Sequence, residues 1–209
     1  MIYSIDDLTF KNDESYKERN LYYKIFAGYF FNELILEYKI RKTEFFELLV
    51  ETISIPGRFF GNKEKAFNML KKMQNEDLHV TFDFHPTQNR KNDNTNDAFD
   101  RGEMSDILIL SKTNMLSIEC KYLSDVSYQK DVIDVQKRII KFIKPNNLEP
   151  LQIFLLKREK WKKSIPIKAE LDKKTDVPAI VISWEDLLLK IKDPKVNGYL
   201  REQLKRLNP

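Results

Sequence analysis

Two short apolar runs joined by a polar tetrapeptide constrain the fold of this 209-residue chain more than any other feature. The runs span residues 104–110 and 115–122, and Ser111-Lys112-Thr113-Asn114 lies between them. Apolar runs of this length, separated by turn-forming residues, are typical of two antiparallel strands. The sequence therefore predicts a β-hairpin near the middle of the chain.

A helical pattern follows the hairpin and leads into another strand. Apolar residues recur at helical spacing from Tyr128 to Ile143, and Pro145-Asn146-Asn147 is expected to end the helix. The apolar run 151–156 predicts a strand that is reached by a right-handed crossover and lies parallel to its predecessor. A strand over 179–183, with Ser183 capping a final helix, completes a mixed α/β sheet.

Helical patterning dominates the chain before the hairpin. Residues 13–53 carry apolar side chains three and four positions apart, a shorter helix is expected over 62–75, and alternation predicts a strand over 78–84. We therefore expect two parts: an N-terminal helical block, residues 1–60, packed on or extending the core, and the core itself, residues 61–209.

Composition excludes several kinds of site. The five glycines are too scattered to form a phosphate-binding turn, so P-loop and Rossmann chemistry is excluded. One cysteine and two histidines argue against a Cys- or His-based zinc site, and a single cysteine favours a reducing compartment. The start of the chain lacks a signal-peptide pattern and no apolar run has membrane-spanning length, so a soluble, cytoplasmic protein is expected. A formal net charge of +4 permits a polyanionic partner.

Two carboxylates and a lysine fall on one predicted face of the hairpin. Pairing the two runs across the tetrapeptide sets Asp106 opposite Glu119, with Cβ atoms about 4.5–5.5 Å apart. Strand alternation puts Lys121 on the same face as Glu119, whereas Cys120 points into the opposite layer. Facing carboxylates repel each other unless they share a cation. The pattern therefore predicts a divalent metal site.

These residues resemble the PD-(D/E)XK nuclease superfamily, which includes type II restriction endonucleases and archaeal Holliday-junction resolvases. Its signature is an Asp on one strand of a hairpin and an acidic residue-x-Lys on the next. Ser105-Asp106 and Glu119-Cys120-Lys121 match this signature, with Ser105 in place of the family's Pro. The resemblance implies a restriction-endonuclease-like αβββαβ core with a mixed central sheet and an N-terminal helical extension.

The resemblance also implies an activity: hydrolysis of phosphodiester bonds in nucleic acid with Mg²⁺ or Mn²⁺, as an endonuclease for which DNA is the favoured substrate and RNA the open alternative. Asp106, Glu119 and the main-chain carbonyl of Cys120 would hold the ion, and Lys121 would orient or help deprotonate the attacking water. Many relatives act as homodimers. The N-terminal block is accordingly a candidate dimerisation surface or DNA clamp, although a simple packing layer explains its apolar stripes equally well.

Three further side chains are candidates for a supporting role around the metal. Relatives often add an acidic residue from the helix before the first strand, and Glu64 is the best-placed one in this chain. Glu103 lies three residues before Asp106, and Gln136 falls on the apolar stripe of the helix after the hairpin. For Gln136, a hydrogen bond to the backbone is an equally good interpretation.

A basic segment follows the strand predicted at 151–156. Six positive charges lie between Lys157 and Lys168, with Trp161 among them. A solvated surface is the simpler interpretation, and contact with nucleic-acid phosphates is the functional one. The candidate nucleic-acid contacts are Lys157, Arg158, Lys160, Lys162 and Lys163.

A second hypothesis keeps the nuclease fold but not the catalytic activity. In that case the chain is a catalytically inactive nuclease-fold protein that binds nucleic acid or a protein partner. Such a protein is expected to have lost part of its site, whereas Asp106, Glu119 and Lys121 are all present here.

Overall fold

The computed structural model describes residues 35–54, 60–61, 63–84, 105–121, 132–161 and 177–192, with a few single residues between 194 and 205. Its helices are α1 Ile35–Ile53, α2 Lys63–Met73, α3 Val135–Asn146 and α4 Trp184–Lys190. Its strands are β1 Phe60–Gly61, β2 His79–Phe84, β3 Ser105–Leu110, β4 Asn114–Lys121, β5 Glu149–Leu156 and β6 Ala179–Ser183. A 3₁₀ turn, Arg158–Trp161, follows β5.

The described strands form one mixed sheet in the order β1-β6-β5-β4-β3-β2. Strands β2, β3 and β4 are antiparallel neighbours, whereas β4, β5 and β6 run parallel. Leu110 pairs with Met115 across the turn, as the sequence predicts. The hairpin and the parallel strand after it are therefore confirmed. The two-residue β1, antiparallel to β6, is an addition that sequence patterning did not predict.

The predicted order of helix, three strands, helix and strand is confirmed from α2 to β5. Of the helical pattern over 13–53, the structure describes residues 35–53 as α1 and leaves the earlier part outside the described residues. The polar loop expected over 85–101 and the start of the helix expected near Tyr128 also lie outside them.

One face of the sheet packs against α1, α2 and α4. Phe45 and Phe46 of α1, Leu70 of α2 and Leu187 of α4 are fully buried, and they share one apolar cluster with side chains of β3 to β6. Full burial of such a side chain contributes roughly 1.5–3 kcal/mol. The described part of the N-terminal block is therefore packed into the same core as the strands.

The opposite face of the sheet lies under α3. Val135 and Ile139 of α3 pack against Leu108 of β3 and Met115 of β4 in a second apolar cluster. A third cluster joins Val132 to apolar residues of β5 and β6. The sheet is therefore covered by helices on both faces, and its polar side chains under α3 lie inside the protein.

The end of α3 and the start of α4 follow ordinary capping chemistry. Asn147 adopts the left-handed conformation, with φ 50°, directly after α3, where asparagine tolerates that region better than most residues. Ser183 Oγ accepts a hydrogen bond from the Asp186 amide at 3.0 Å and begins α4 as predicted. None of the helices among the described residues combines the length and apolar character of a bilayer span.

Candidate active site at the carboxyl end of strand β4

A band of buried polar side chains crosses the sheet under α3. Ser117 and Gln152 are fully buried, and Asp106, Glu119 and Gln136 are only 7%, 6% and 5% exposed. A buried polar group left without a hydrogen bond destabilises a protein by about 1–3 kcal/mol, so such groups are normally paired. These buried positions therefore depend on hydrogen bonds and ion pairs as well as on packing.

Asp106 reaches across from β3 to the backbone of β4. Its Oδ2 accepts a hydrogen bond from the Cys120 amide at 2.6 Å, directly beside Glu119. The backbone pairing between β3 and β4 ends with Ile107 opposite Ile118, one position before the predicted Asp106–Glu119 pair. Asp106 is therefore held at the expected end of the hairpin by a side-chain contact.

Glu119 and Lys121 form an ion pair within strand β4. Lys121 Nζ lies 2.6 Å from Glu119 Oε1, and their side chains are 19% and 8% exposed. Residues two apart in a strand share a face, so this contact confirms the predicted alternation. Because the pair is shielded from water, the attraction is stronger than that of a surface pair.

Cys120 lies between these two residues but points the other way. Its thiol is buried in the apolar cluster on the opposite face of the sheet, with Leu116 and Ile118. Its amide donates to Asp106, so the backbone of Cys120 belongs to the polar face while its side chain belongs to the core. The prediction that only its main chain adjoins the site agrees with this arrangement.

Two serines that sequence reasoning missed support the same end of the hairpin. Ser117 Oγ donates to Ser105 Oγ at 3.0 Å, and Ser105 Oγ donates to the Ile107 carbonyl at 2.5 Å. Both serines are fully buried. Their signal in the sequence is a single hydroxyl within each of two apolar strands. The hydrogen bonds tie β3 to β4 immediately beside Asp106 and Glu119.

Gln136 projects from α3 onto the same face of the sheet but bonds to β5. Its Nε2 donates to Gln152 Oε1 at 3.2 Å and lies 3.5 Å from the Val177 carbonyl. Gln152 pairs with Ser117, two residues before Glu119 along β4. Gln136 therefore anchors α3 on the sheet. Its hydrogen bond to the Val177 carbonyl agrees with the backbone interpretation, whereas its contact with a second glutamine was in neither interpretation.

Glu64 lies at the other end of β4, so the structure does not bring it to Asp106 and Glu119. It lines an open cleft of about 340 Å³ with Asn114, the first residue of β4, and Glu149, the first residue of β5. Five residues of strand separate Asn114 from Glu119, which corresponds to about 16 Å. Helix α2, which carries Glu64, also packs on the face of the sheet opposite α3.

A second polar cluster surrounds Glu76 at this turn end of β4. Glu76 accepts hydrogen bonds from Thr113 Oγ1 at 3.4 Å and Asn114 Nδ2 at 3.2 Å, and its carbonyl accepts one from Lys42 Nζ at 2.7 Å. Burial alone raises the pKa of the Glu76 carboxyl, but hydrogen bonds from Ser111, Asn114 and Thr113, with the charge of Lys72, bring that pKa below its ordinary value.

The described part of the basic segment begins beside Lys121. The Lys157 amide donates to the Lys121 carbonyl at 3.3 Å, which places the segment at the carboxyl end of β4. Lys157 Nζ lies 2.8 Å from Glu159 Oε1, and Arg158 Nη2 lies 2.6 Å from Asp186 Oδ1. Arg158, expected as a nucleic-acid contact, is thus directed toward the start of α4. Glu103, Lys162 and Lys163 lie outside the described residues.

Neither a ligand cluster among the described residues nor a similar known protein identifies this site. Among the residues that the structure describes, no three or more His, Cys, Asp or Glu side chains cluster as metal ligands. Comparison of the chain with protein-family models, with curated proteins and with solved structures finds no match. The resemblance to PD-(D/E)XK nucleases therefore rests on the residues of the hairpin and the order of elements around it.

Proposed function

We propose that this protein is a metal-dependent nuclease with a restriction-endonuclease-like core that hydrolyses phosphodiester bonds of DNA. One observation carries the proposal. Two buried carboxylates from neighbouring strands, Asp106 and Glu119, lie at the carboxyl end of β4, with Lys121 2.6 Å from Glu119. In sheets with parallel strands, binding sites commonly lie at the carboxyl ends of those strands. RNA is the alternative substrate.

The donor atoms at this position fit a divalent cation. Carboxylate and carbonyl oxygens are the ligands that Mg²⁺ and Mn²⁺ prefer, and Asp106, Glu119 and the Cys120 carbonyl are the groups that would hold one. Two carboxylates beside a single ammonium group leave an excess of negative charge at this position, which supports the fit. A bound cation would act as a Lewis acid toward the scissile phosphate and lower the pKa of a bound water.

Each residue of the chain has its own part in the proposed reaction. Asp106 and Glu119 supply negative charge in a site shielded from water, where electrostatic interactions are strong. Lys121 orients the attacking water and stabilises negative charge that develops on the phosphorus oxygens. The serine pair and the Cys120 amide hold β3 and Asp106 in place while this charge changes.

One observation favours a second candidate, a non-catalytic protein that binds nucleic acid or a protein partner. Asp106 already accepts the Cys120 amide, and Glu119 already lies against Lys121. These contacts stabilise both carboxylates without a metal ion, so a purely structural role is consistent with the same geometry.

The two candidates differ in one direct experiment. Purified protein is incubated with supercoiled plasmid, linear duplex, branched and single-stranded DNA, and RNA, in Mg²⁺, in Mn²⁺ and in EDTA. The proposal expects cleavage of at least one DNA substrate in a divalent cation and none in EDTA. If every substrate survives both cations while the protein still binds nucleic acid, the non-catalytic candidate is correct. Cleavage of RNA alone would show that RNA, and not DNA, is the substrate.

A further inference from the structure

Outside the site of Asp106 and Glu119, several short contacts join the 3₁₀ turn after β5 to the first turn of α4. The Arg158 amide donates to both oxygens of Glu185, at 3.1 and 2.9 Å, and Arg158 Nη2 donates to Asp186 Oδ1 at 2.6 Å. Backbone and side chain of one arginine are thus held by two adjacent carboxylates. We call these contacts, of Arg158 with Glu185 and Asp186, the arginine clamp.

The acidic partner in the arginine clamp is itself held in place. Asp186 is 2% exposed, its Oδ2 accepts a hydrogen bond from Ser183 Oγ at 2.6 Å, and its amide donates to the same hydroxyl. Ser183 ends β6 and pairs with Leu156, the last residue of β5. The arginine clamp therefore fixes the turn after β5 to the end of the neighbouring parallel strand.

The geometry of the clamp changes the role expected for Arg158. A guanidinium that contacts a nearly buried carboxylate at 2.6 Å would have to give up that charge-assisted hydrogen bond to bind a phosphate. Lys157 is held differently: its amide bonds the Lys121 carbonyl, and its Nζ lies 2.8 Å from Glu159, whose side chain is 65% exposed. Water therefore screens this ion pair more than the one with Asp186, so it is more easily exchanged for a phosphate. The turn continues through Lys160. The clamp sets the position of these lysines relative to Lys121.

We infer that Arg158 is a positioning residue: through Asp186 and Glu185 it holds Lys157 and Lys160 where they contact the phosphates of bound nucleic acid, and it makes no phosphate contact itself. This inference rests on the proposed function. It separates the basic segment into lysines that bind substrate and an arginine that orders them. Charge alone does not make this distinction, since all three residues are cationic.

Salt dependence of binding tests the inference, because each phosphate contact contributes a slope of about 0.9 to log Kd against log salt. A labelled mixed-sequence DNA duplex is titrated in EDTA between about 50 and 200 mM KCl, where no metal-dependent cleavage occurs. Lys160→Gln is expected to lower the slope by about 0.9, the contribution of one phosphate contact. Lys144→Gln, in the last turn of α3, removes an equal charge and should leave the slope unchanged.

Asp186→Asn gives the decisive result. Removing an acidic charge near bound DNA should strengthen binding by simple electrostatics, whereas loss of the clamp should weaken binding and lower the slope by up to two contacts. We expect the weaker binding for Asp186→Asn and Arg158→Met alike, and no further loss in the double variant. Glu185→Ala removes the backbone half of the clamp and should act in the same direction. Glu149→Ala, at the start of β5, removes an equal charge as control.

Two outcomes overturn the inference, and they are distinguishable. If Arg158→Met lowers the slope by one contact while Asp186→Asn and Glu185→Ala bind as well as wild type or better, Arg158 contacts phosphate directly. If wild-type protein binds no nucleic acid, the proposed function fails and the inference fails with it. Circular dichroism and thermal unfolding of each variant confirm that binding is measured on folded protein.

Discussion

The two ends of strand β4 both carry polar clusters, and they differ in how the charge is arranged. At the turn end, one carboxylate, Glu76, accepts hydrogen bonds from hydroxyl and amide donors of the described residues. At the carboxyl end, two buried carboxylates, Asp106 and Glu119, lie on the same face with one ammonium group. The first arrangement balances one negative charge with hydrogen bonds and a nearby lysine, whereas the second places two carboxylates beside one ammonium group, an excess of negative charge that the proposed divalent cation would neutralise.

Under the proposed function, this difference separates polar residues that stabilise the fold from those that would carry the chemistry. The Glu76 carboxylate accepts hydrogen bonds from Thr113 and Asn114 at the hairpin turn, and its backbone carbonyl accepts one from Lys42 of α1. Replacing Glu76 should therefore affect stability more than activity. Replacing Asp106 should affect activity more than stability, because the proposed role of its carboxylate is to hold a cation.

The largest expected effect is on catalysis in Asp106→Asn. The asparagine carbonyl can still accept the Cys120 amide, so the hydrogen bond is kept while the charge is removed. Loss of several kcal/mol of transition-state stabilisation corresponds to a rate at least about 10³-fold lower. Single-turnover cleavage in Mg²⁺ measures this rate, with Glu76→Gln as the matched carboxylate control. Equal rates in Asp106→Asn and wild type would place the chemistry elsewhere.

The next effect is a metal-dependent change of stability in Lys121→Met. Removal of the ammonium 2.6 Å from Glu119 leaves a buried carboxylate without this partner and should destabilise the fold by up to about 3 kcal/mol. Mn²⁺ should restore part of that loss, so the melting temperature of the variant should rise more with Mn²⁺ than that of wild type. Lys144→Met is the control, and an equal Mn²⁺ response in all three proteins would contradict the prediction.

A smaller, pH-dependent effect is expected for Glu76→Gln. Because the pKa of folded Glu76 lies below its unfolded value, its ionised form stabilises the fold above that unfolded value, and this contribution is lost as pH falls through the folded pKa. At neutral pH the variant should be less stable by about 1 kcal/mol. Urea unfolding of both proteins from pH 7 down to pH 3 should show the difference shrinking. A difference that stays constant or grows toward acid pH would show that the charge of Glu76 has no stabilising role.

The smallest effect is expected when both glutamines of the buried band are made apolar together. Gln152→Leu alone leaves Gln136 without the acceptor at 3.2 Å and should destabilise the fold by about 1–3 kcal/mol. In the double variant Gln136→Leu and Gln152→Leu, both partners are removed, and stability should return close to that of wild type. Chemical denaturation of the two singles and the double gives the coupling free energy. An additive double variant would show that the two side chains do not interact.

Local rules explain why the sequence predicted that Asp106, Glu119 and Lys121 lie together on the hairpin. The length of the turn determines which residues pair, and strand alternation determines that Glu119 and Lys121 share a face while Cys120 does not. Both rules act over a few residues, so neither needs knowledge of the rest of the chain. The ladder between β3 and β4 ends one pair before Asp106, whose side chain bonds the Cys120 amide, a contact that neither rule includes.

Tertiary packing explains what the sequence could not predict. Arg158 and Asp186 are 28 residues apart, and only the parallel pairing of β5 with β6 brings the turn after one strand to the helix after the other. The resemblance predicts Glu64 beside the metal, because relatives often add an acidic residue from the helix before the first strand. The structure places that helix on the opposite face and Glu64 at the turn end of β4.

Binding of Mn²⁺ to the metal-free protein tests the difference between the two ends of β4 most directly. Wild-type protein and Glu76→Gln are compared with Asp106→Asn by electron paramagnetic resonance and calorimetric titration, with unfolding curves to confirm folding. The account predicts saturable binding of equal affinity in wild type and Glu76→Gln, and loss of that binding in Asp106→Asn. Wild-type protein that binds no Mn²⁺, or Asp106→Asn that binds it as tightly as wild type, would contradict the account.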